Sequence, residues 1–246
     1  MVALGASNLT LGLPTLVSAA RAAAGPDVEI FAALGLARSY GMEGRFLART
    51  LPAILSCGLW RALEERPALR TRALVTDVGN DIVYGAPAAR ILEWIDEAVT
   101  RLRRSTDDVV VTGLPLDPIR RLSPAKFVAY RAMIFPRCRI PYRDILATAE
   151  QVDEGLPTLA RRHAARFVAL RPEWYAFDPV HVRPAYWRDA WGEILSADDD
   201  ARDASSLTES LRLHTLMPER QWLFGVERRN PQASTRLRRG GRVRLF

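Results

Sequence analysis

Lysine is almost missing from this chain: Lys126 is the only one in 246 residues. Arginine supplies the rest of the 35 basic residues, against 28 acidic ones, for a net charge of +7. Long apolar runs are missing too. None reaches the roughly 18 residues that a membrane span needs, so no transmembrane segment is expected. Cysteine is scarce, with Cys57 and Cys138 in no metal-like spacing, which predicts reduced, buried thiols and a cytoplasmic protein. The three histidines are too dispersed for a multi-histidine metal site. The start, MVALGASNLT, lacks the basic and then apolar pattern of a secretory leader. The sequon Asn8-Leu9-Thr10 is therefore not read as a glycosylation site.

Hydrophobic residues make up 48% of the chain, and its length suits one α/β domain with a full core. Much of the basic excess lies near the end: Arg228, Arg229, Arg236, Arg238, Arg239, Arg242 and Arg244. Such a tail can meet phosphates. No nucleic-acid motif, zinc knuckle or aromatic RNA platform accompanies it, so it is read as a solvated arginine-rich surface and nucleic acid is not an expected partner.

Short apolar segments alternate with helical ones. Residues 2–4, 28–34, 73–78, 109–111 and 167–170 read as strands. Helices are expected after Pro14, over 43–57, from Pro87 with Leu92, Ile95, Val99 and Leu102 on one face, and from the Ser123-Pro124 cap. A further helix carries Ile145, Ala149, Val152, Leu156 and Leu159, with Pro157 expected to kink or break it. A closing helix covers 185–196. Near-continuously apolar strands between helices argue for a parallel sheet covered on both faces. Residues 198–206 are a charged break. The expected division is a domain over 1–197 and a basic extension over 198–246, with a small hairpin around Gly240-Gly241 that sets Leu237 opposite Val243 and Thr235 opposite Leu245.

In parallel sheets, sites form beyond the carboxyl ends of the strands. That places Gly5–Thr10, Gly35–Gly41 and Asp77–Tyr84 on one rim. The pieces Gly5-Ala6-Ser7-Asn8, Gly35, Gly79-Asn80-Asp81 and Asp178-Pro-Val-His181 follow successive strands in that order. Together they resemble the SGNH, or GDSL-type, hydrolase family, over roughly residues 2–195.

The resemblance implies a flavodoxin-like three-layer sandwich with a parallel five-stranded sheet, and serine-dependent hydrolysis of an ester. Ser7 would be the nucleophile, His181 its base and Asp178 the group that orients His181. The oxyanion would be held by the Ser7 N–H, the Gly35 N–H and the Asn80 side chain. Asp81 is read as a brace for its loop. Asp77 stands open between structural acceptor and participant. A small-molecule ester is the implied partner, and no metal or organic cofactor is needed.

Two departures from the family pattern stand out. The usual G-D-S-L is here G-A-S-N, so the acidic residue before the nucleophile is missing. The second block, GLARSYG, aligns with either Gly35 or Arg38 as donor; Gly35 is preferred because it directly ends the apolar run. Arg38 would then face the pocket, and Arg38 and Tyr84 are candidate substrate-binding residues. An α/β-hydrolase elbow fails at Leu9, and a phosphate loop fails because no Gly-Lys-Ser/Thr follows Gly5. Acyl transfer to an alcohol, a non-catalytic binding protein, and a metal site built from Asp77, Asp81, Asp178 and His181 are the rival readings. Composition says nothing of the oligomeric state.

Overall fold

The strand that opens the chain, β1 (Val2–Leu4), has no exposed side chain. A strand buried on both faces needs covering layers on both, which is why its sequence is a continuous apolar run rather than an alternating one. The computed structural model describes residues 1–135, 138–197, 206–231, 233–238 and 240–246. After β1 come α1 (Ser7–Leu11), α2 (Leu13–Ala24) and β2 (Glu29–Ala33). A short hairpin follows, β3 (Gly44–Phe46) with β4 (Arg49–Leu51), then α3 (Leu59–Glu65) and β5 (Arg72–Val75). The middle of the chain forms α4 (Asn80–Val83), α5 (Ala88–Arg103), β6 (Asp108–Thr112), α6 (Leu116–Arg120) and α7 (Pro124–Ile134). Then come α8 (Tyr142–Arg162), β7 (Arg166–Val168), α9 (Trp187–Leu195) and α10 (Leu207–Thr215). The last strands are β8 (Arg220–Leu223), β9 (Val226–Arg229), β10 (Ser234–Arg236) and β11 (Arg242–Leu245).

The main sheet runs β10-β11-β2-β1-β5-β6-β7, with every pair parallel except β10 with β11. Its first five parallel strands by sequence stand in the spatial order second, first, third, fourth, fifth, which is the flavodoxin-like order. One face packs on α3, α5 and α8, with Ile91, Ile95, Val99, Val152 and Leu156 buried there. The other packs on α2 and α9 through Leu16, Val17, Trp191 and Ile194. Among the described residues no helix is long and apolar enough to cross a membrane.

The sheet has seven strands rather than the expected five, and the two added ones come from the basic extension. The hairpin around Gly240-Gly241 is part of the main sheet, not an appendage. β11 pairs in parallel with β2 and buries Val243 and Leu245. Its register also differs from the expectation, with Thr235 opposite Val243 and Arg236 opposite Arg242. Gly240 and Gly241 both take left-handed backbone, at φ 99° and 78°. The Leu237 N–H donates to Gly241 O, which centres the turn one position earlier than assumed and shifts the pairing.

Two other expectations fail for tertiary reasons. Residues 43–57 are not a helix; they form β3, β4 and a short 3₁₀ turn at Ile54–Ser56. Leu47 turns left-handed at φ 52° to close the hairpin, and β4 pairs with β8 from far along the chain, forming the small sheet β3-β4-β8-β9. α8 runs unbroken through Pro157. Its buried face of Ile145, Ala149, Val152, Leu156 and Leu159 outweighs the roughly 3 kcal/mol that an internal proline costs.

If β11 is integral to the core, Leu245→Ala lowers the unfolding free energy by about 2–4 kcal/mol. A denaturant titration that finds a loss under about 0.5 kcal/mol, the scale of a surface change, would show the hairpin to be dispensable.

Candidate active site

Just beyond β5 the chain turns at Asp77, which sits in left-handed backbone at φ 58°. A short polar residue tolerates this conformation better than most. The turn aims its carboxylate at the start of α1. Asp77 Oδ2 accepts from the N–H of Ala6 at 2.9 Å, Asn8 at 3.0 Å and Leu9 at 3.2 Å. Oδ1 accepts from Asn8 Nδ2 at 2.8 Å. The first amides of a helix have no partner within it, and α1 has no side-chain cap from its own N-cap residue. Asp77 supplies the missing acceptor from another strand. It skips one amide: among the described residues the Ser7 N–H makes no hydrogen bond.

Asn8 carries the connection onward. Its Nδ2 also donates to Val180 O at 2.9 Å, and its Oδ1 accepts from Val182 N at 2.8 Å. The residue after Ser7 therefore bolts the serine turn to the loop that bears His181. On that loop Asp178 Oδ1 accepts from the N–H of Val180 and of His181, each at 3.1 Å. Asp178 Oδ2 lies 2.7 Å from His181 Nδ1. The Tyr130 hydroxyl donates to Asp178 Oδ1 at 2.9 Å and lies 3.2 Å from His181 Nδ1.

Burial alone would raise the Asp178 carboxyl. The hydrogen bond and charge of His181, then the Val180 N–H and Tyr130, outweigh it and hold the group below its ordinary value. An ionised carboxylate only accepts, so the neutral imidazole carries its proton on Nδ1 and keeps the Nε2 lone pair.

A cavity of about 470 Å³ brings Ser7, Asn80 and His181 onto one surface. Ser7 and His181 form no hydrogen bond with each other among the described residues, a common looseness before substrate binds. Asn80 opens α4, and its Nδ2 donates to Arg38 O at 2.9 Å. That uses one of the two amide hydrogens.

Beside it, Asp81 is fully buried and takes Ser39 Oγ, Tyr40 N at 3.0 Å and Gly41 N at 3.3 Å. Burial raises its carboxyl above the usual range against the pull of these donors. Asn80 and Asp81 together thus pin the 38–41 segment, so Asp81 braces a neighbouring segment rather than its own loop. The carboxylates of Asp77, Asp81 and Asp178 face different partners. Among the described residues no group of three or more His, Cys, Asp or Glu is placed to hold a metal.

Two candidates, Arg38 and Tyr84, sit elsewhere than expected. Arg38 is fully buried and does not line the cavity. Its Nη1 donates to Leu34 O at 3.0 Å and to the backbone oxygen of Phe246, and burial lowers its guanidinium. It joins the end of β2 to the end of β11. Tyr84 does not line the cavity either. Its hydroxyl donates to Ala37 O at 2.7 Å and accepts from Arg45 N at 2.8 Å. Gly35 lies one residue before the lining residues Leu36 and Ala37. Its lack of a side chain has a packing cause, since a Cβ there would stand 2.1 Å from Leu51 Cδ1.

Asn8 and Tyr130 were missed in the sequence. Asn8 adjoins Ser7, but nothing local marks its partners 172 and 174 positions away. Tyr130 lies on a helix recognisable only by its Ser123 cap.

No protein-family model and no curated protein sequence matches the chain. Among solved structures it is similar to the psychrotrophic esterase EstA from Pseudoalteromonas sp., in a structure inhibited by monoethylphosphonate. The identity is 10% and the TM-score 0.46, over 79% of this chain and 96% of that one. At that level the likeness assigns no residue here a role.

Removing the Asp77 carboxylate strands three backbone amides. Asp77→Ala is expected to lower the unfolding free energy by about 3 kcal/mol or more, given roughly 1.5–3 kcal/mol per hydrogen bond to a charged group. Asp77→Asn, which keeps one acceptor oxygen, loses less. Equal and negligible losses for both in guanidinium titrations would remove Asp77 from this role.

Proposed function

We propose that the protein is an SGNH-type serine hydrolase that cleaves carboxylic esters through an acyl-enzyme. The observation that carries the reading is the oriented Asp178–His181 pair, 2.7 Å apart, on the same cavity as Ser7. The uncommitted Ser7 N–H supports it.

In this mechanism Ser7 Oγ attacks the ester carbonyl carbon while His181 Nε2 takes the serine proton. The carbonyl π electrons move to oxygen. The resulting oxyanion accepts from the Ser7 N–H, the free Asn80 amide hydrogen and the Gly35 N–H. Collapse re-forms the carbonyl and breaks the bond to the alcohol oxygen, which leaves with the proton from His181. Water then attacks the acyl-enzyme, with His181 as base again, and the acid departs as Ser7 regains its proton. Asp178 stays ionised throughout and stabilises the imidazolium. An acceptor alcohol in place of water turns the same steps into acyl transfer.

A fluorophosphonate probe tests the nucleophile directly. The expected result is an adduct on Ser7, absent in Ser7→Ala and in His181→Ala, with ester hydrolysis reduced by about 10⁴-fold or more in both. Asn80→Ala is expected to lower kcat by about 10²–10³-fold. A well-folded protein that takes no adduct would sink the reading and favour a binding protein on the same scaffold. Ester consumption that requires an added alcohol would reassign it to acyl transfer.

A further inference from the structure

The cavity holding Ser7 and His181 is far larger than ester chemistry requires. Beyond the reacting groups its wall is mostly apolar, including Leu114, Ile119, Leu122, Phe127, Phe135 and Ile145. Its charged members are engaged elsewhere, Asp77 with the α1 amides and Arg131 with Ile140 O, so the space suits a hydrocarbon better than a sugar.

α7 contributes Phe127, Tyr130 and Arg131 to that wall and is lightly held. Across residues 124–132 only Phe127 is buried, and Val128 is 50% exposed. Phe127 tilts against Tyr142 at 4.9 Å between ring centres, and Arg131 Nη1 reaches Ile140 O at 3.0 Å. The remaining described ties run to the histidine loop. Lys126 Nζ lies 5.4 Å above the Phe177 ring, and Tyr130 holds Asp178. Phe127, Tyr130 and Arg131 are spaced i, i+3 and i+4, so they share one face. The helix thus meets the acyl side of the cavity and the Asp178–His181 pair with the same surface. Burial, then the Asp178 carboxylate, push the Tyr130 phenol far above its ordinary value, so it remains a donor.

We propose that the cavity is an acyl-chain site and that filling it seats α7, so that Tyr130 braces Asp178 and His181 most firmly for turnover when a long acyl chain is bound. This rests on the ester-hydrolase reading. A chain that touches Phe127 and Phe135 gains contacts when α7 is seated, and that differential shifts the helix toward the seated state. An acetyl group is too short to reach it. Tyr130 is a positioning residue, acting through the carboxylate that orients His181.

The test is a series of p-nitrophenyl esters, from acetyl to octanoyl, with the full chain and with Tyr130→Phe. The variant keeps the ring and its packing, and its unfolding midpoint checks the fold. Wild-type kcat is expected to rise at least about tenfold from acetyl to octanoyl, while apolar burial lowers KM by up to about fourfold per methylene. Tyr130→Phe is expected to lower kcat for the octanoyl ester about tenfold, the worth of one hydrogen bond to a charged group. The kcat loss for the acetyl ester should be several-fold smaller, and KM should not change.

Equal loss at every chain length would make Tyr130 a fixed part of the site and overturn the coupling. So would a change in KM alone, no loss in the variant, or a wild-type kcat that does not rise with chain length. Wild-type hydrolysis of these esters, with any of those results, leaves the parent reading standing. A wild type that cleaves none of them and takes no fluorophosphonate on Ser7 overturns both.

Discussion

The Asp77 carboxylate accepts from three backbone amides and one side-chain amide of the turn after β1, and so ties the carboxyl ends of β1 and β5 together. Two consequences follow from that single constraint. The amides on either side of Ser7 are committed, which among the described residues leaves the Ser7 N–H uncommitted at the start of α1. The Asn8 side chain is also held in place, and through Val180 and Val182 it fixes the histidine loop. Ser7 and His181 thus come from distant parts of the chain and are registered through one carboxylate and one amide.

A second polar bracket supports the first. The fully buried Tyr40 hydroxyl lies 3.0 Å from Leu4 O and 2.8 Å from Thr76 O, and accepts from Thr76 N at 3.1 Å. It fills the space between the two strand ends just where they release the chain to the site. Burial, then the Asp77 charge, keep its phenol neutral. Asp81 and Asn80 anchor the neighbouring 38–41 turn from below. Buried polar groups of this kind stabilise only when every member finds its partner, so the rim behaves as a rigid unit. α7 is the contrast, a helix with one buried side chain over residues 124–132 resting on a rigid site.

The strand and helix pattern was legible because doubly covered strands must be apolar throughout and their helices must keep one apolar face. Val2–Leu4, the α5 face and the Ser123 cap, whose Oγ accepts from Lys126 N, all follow from local chemistry. The β3–β4 hairpin was not legible, because its partner β8 is remote in sequence. Nor was the place of β11 beside β2, which is decided by two left-handed glycines and the burial of Val243. At the site, Ser7, Asn80, Asp178 and His181 could be picked out from short motifs on one rim. Arg38 was misplaced because a charged residue after a strand suggests an exposed role, whereas here the end of β11 covers it and supplies an acceptor. Asp77, Asn8 and Tyr130 act through contacts far apart in the chain, and local spacing does not show which partners they take.

The account stands on Ser7 being aimed at a reacting carbon with its own N–H free for the developing oxyanion. A crystal structure of the protein reacted with a long-chain alkylphosphonate tests this most directly. The phosphorus should be bonded to Ser7 Oγ, and the phosphoryl oxygen should accept from the Ser7 N–H and Asn80 Nδ2. The alkyl chain should lie against Phe127 and Phe135. An adduct on another residue, or a phosphoryl oxygen turned away from both donors with the chain in solvent, would contradict it.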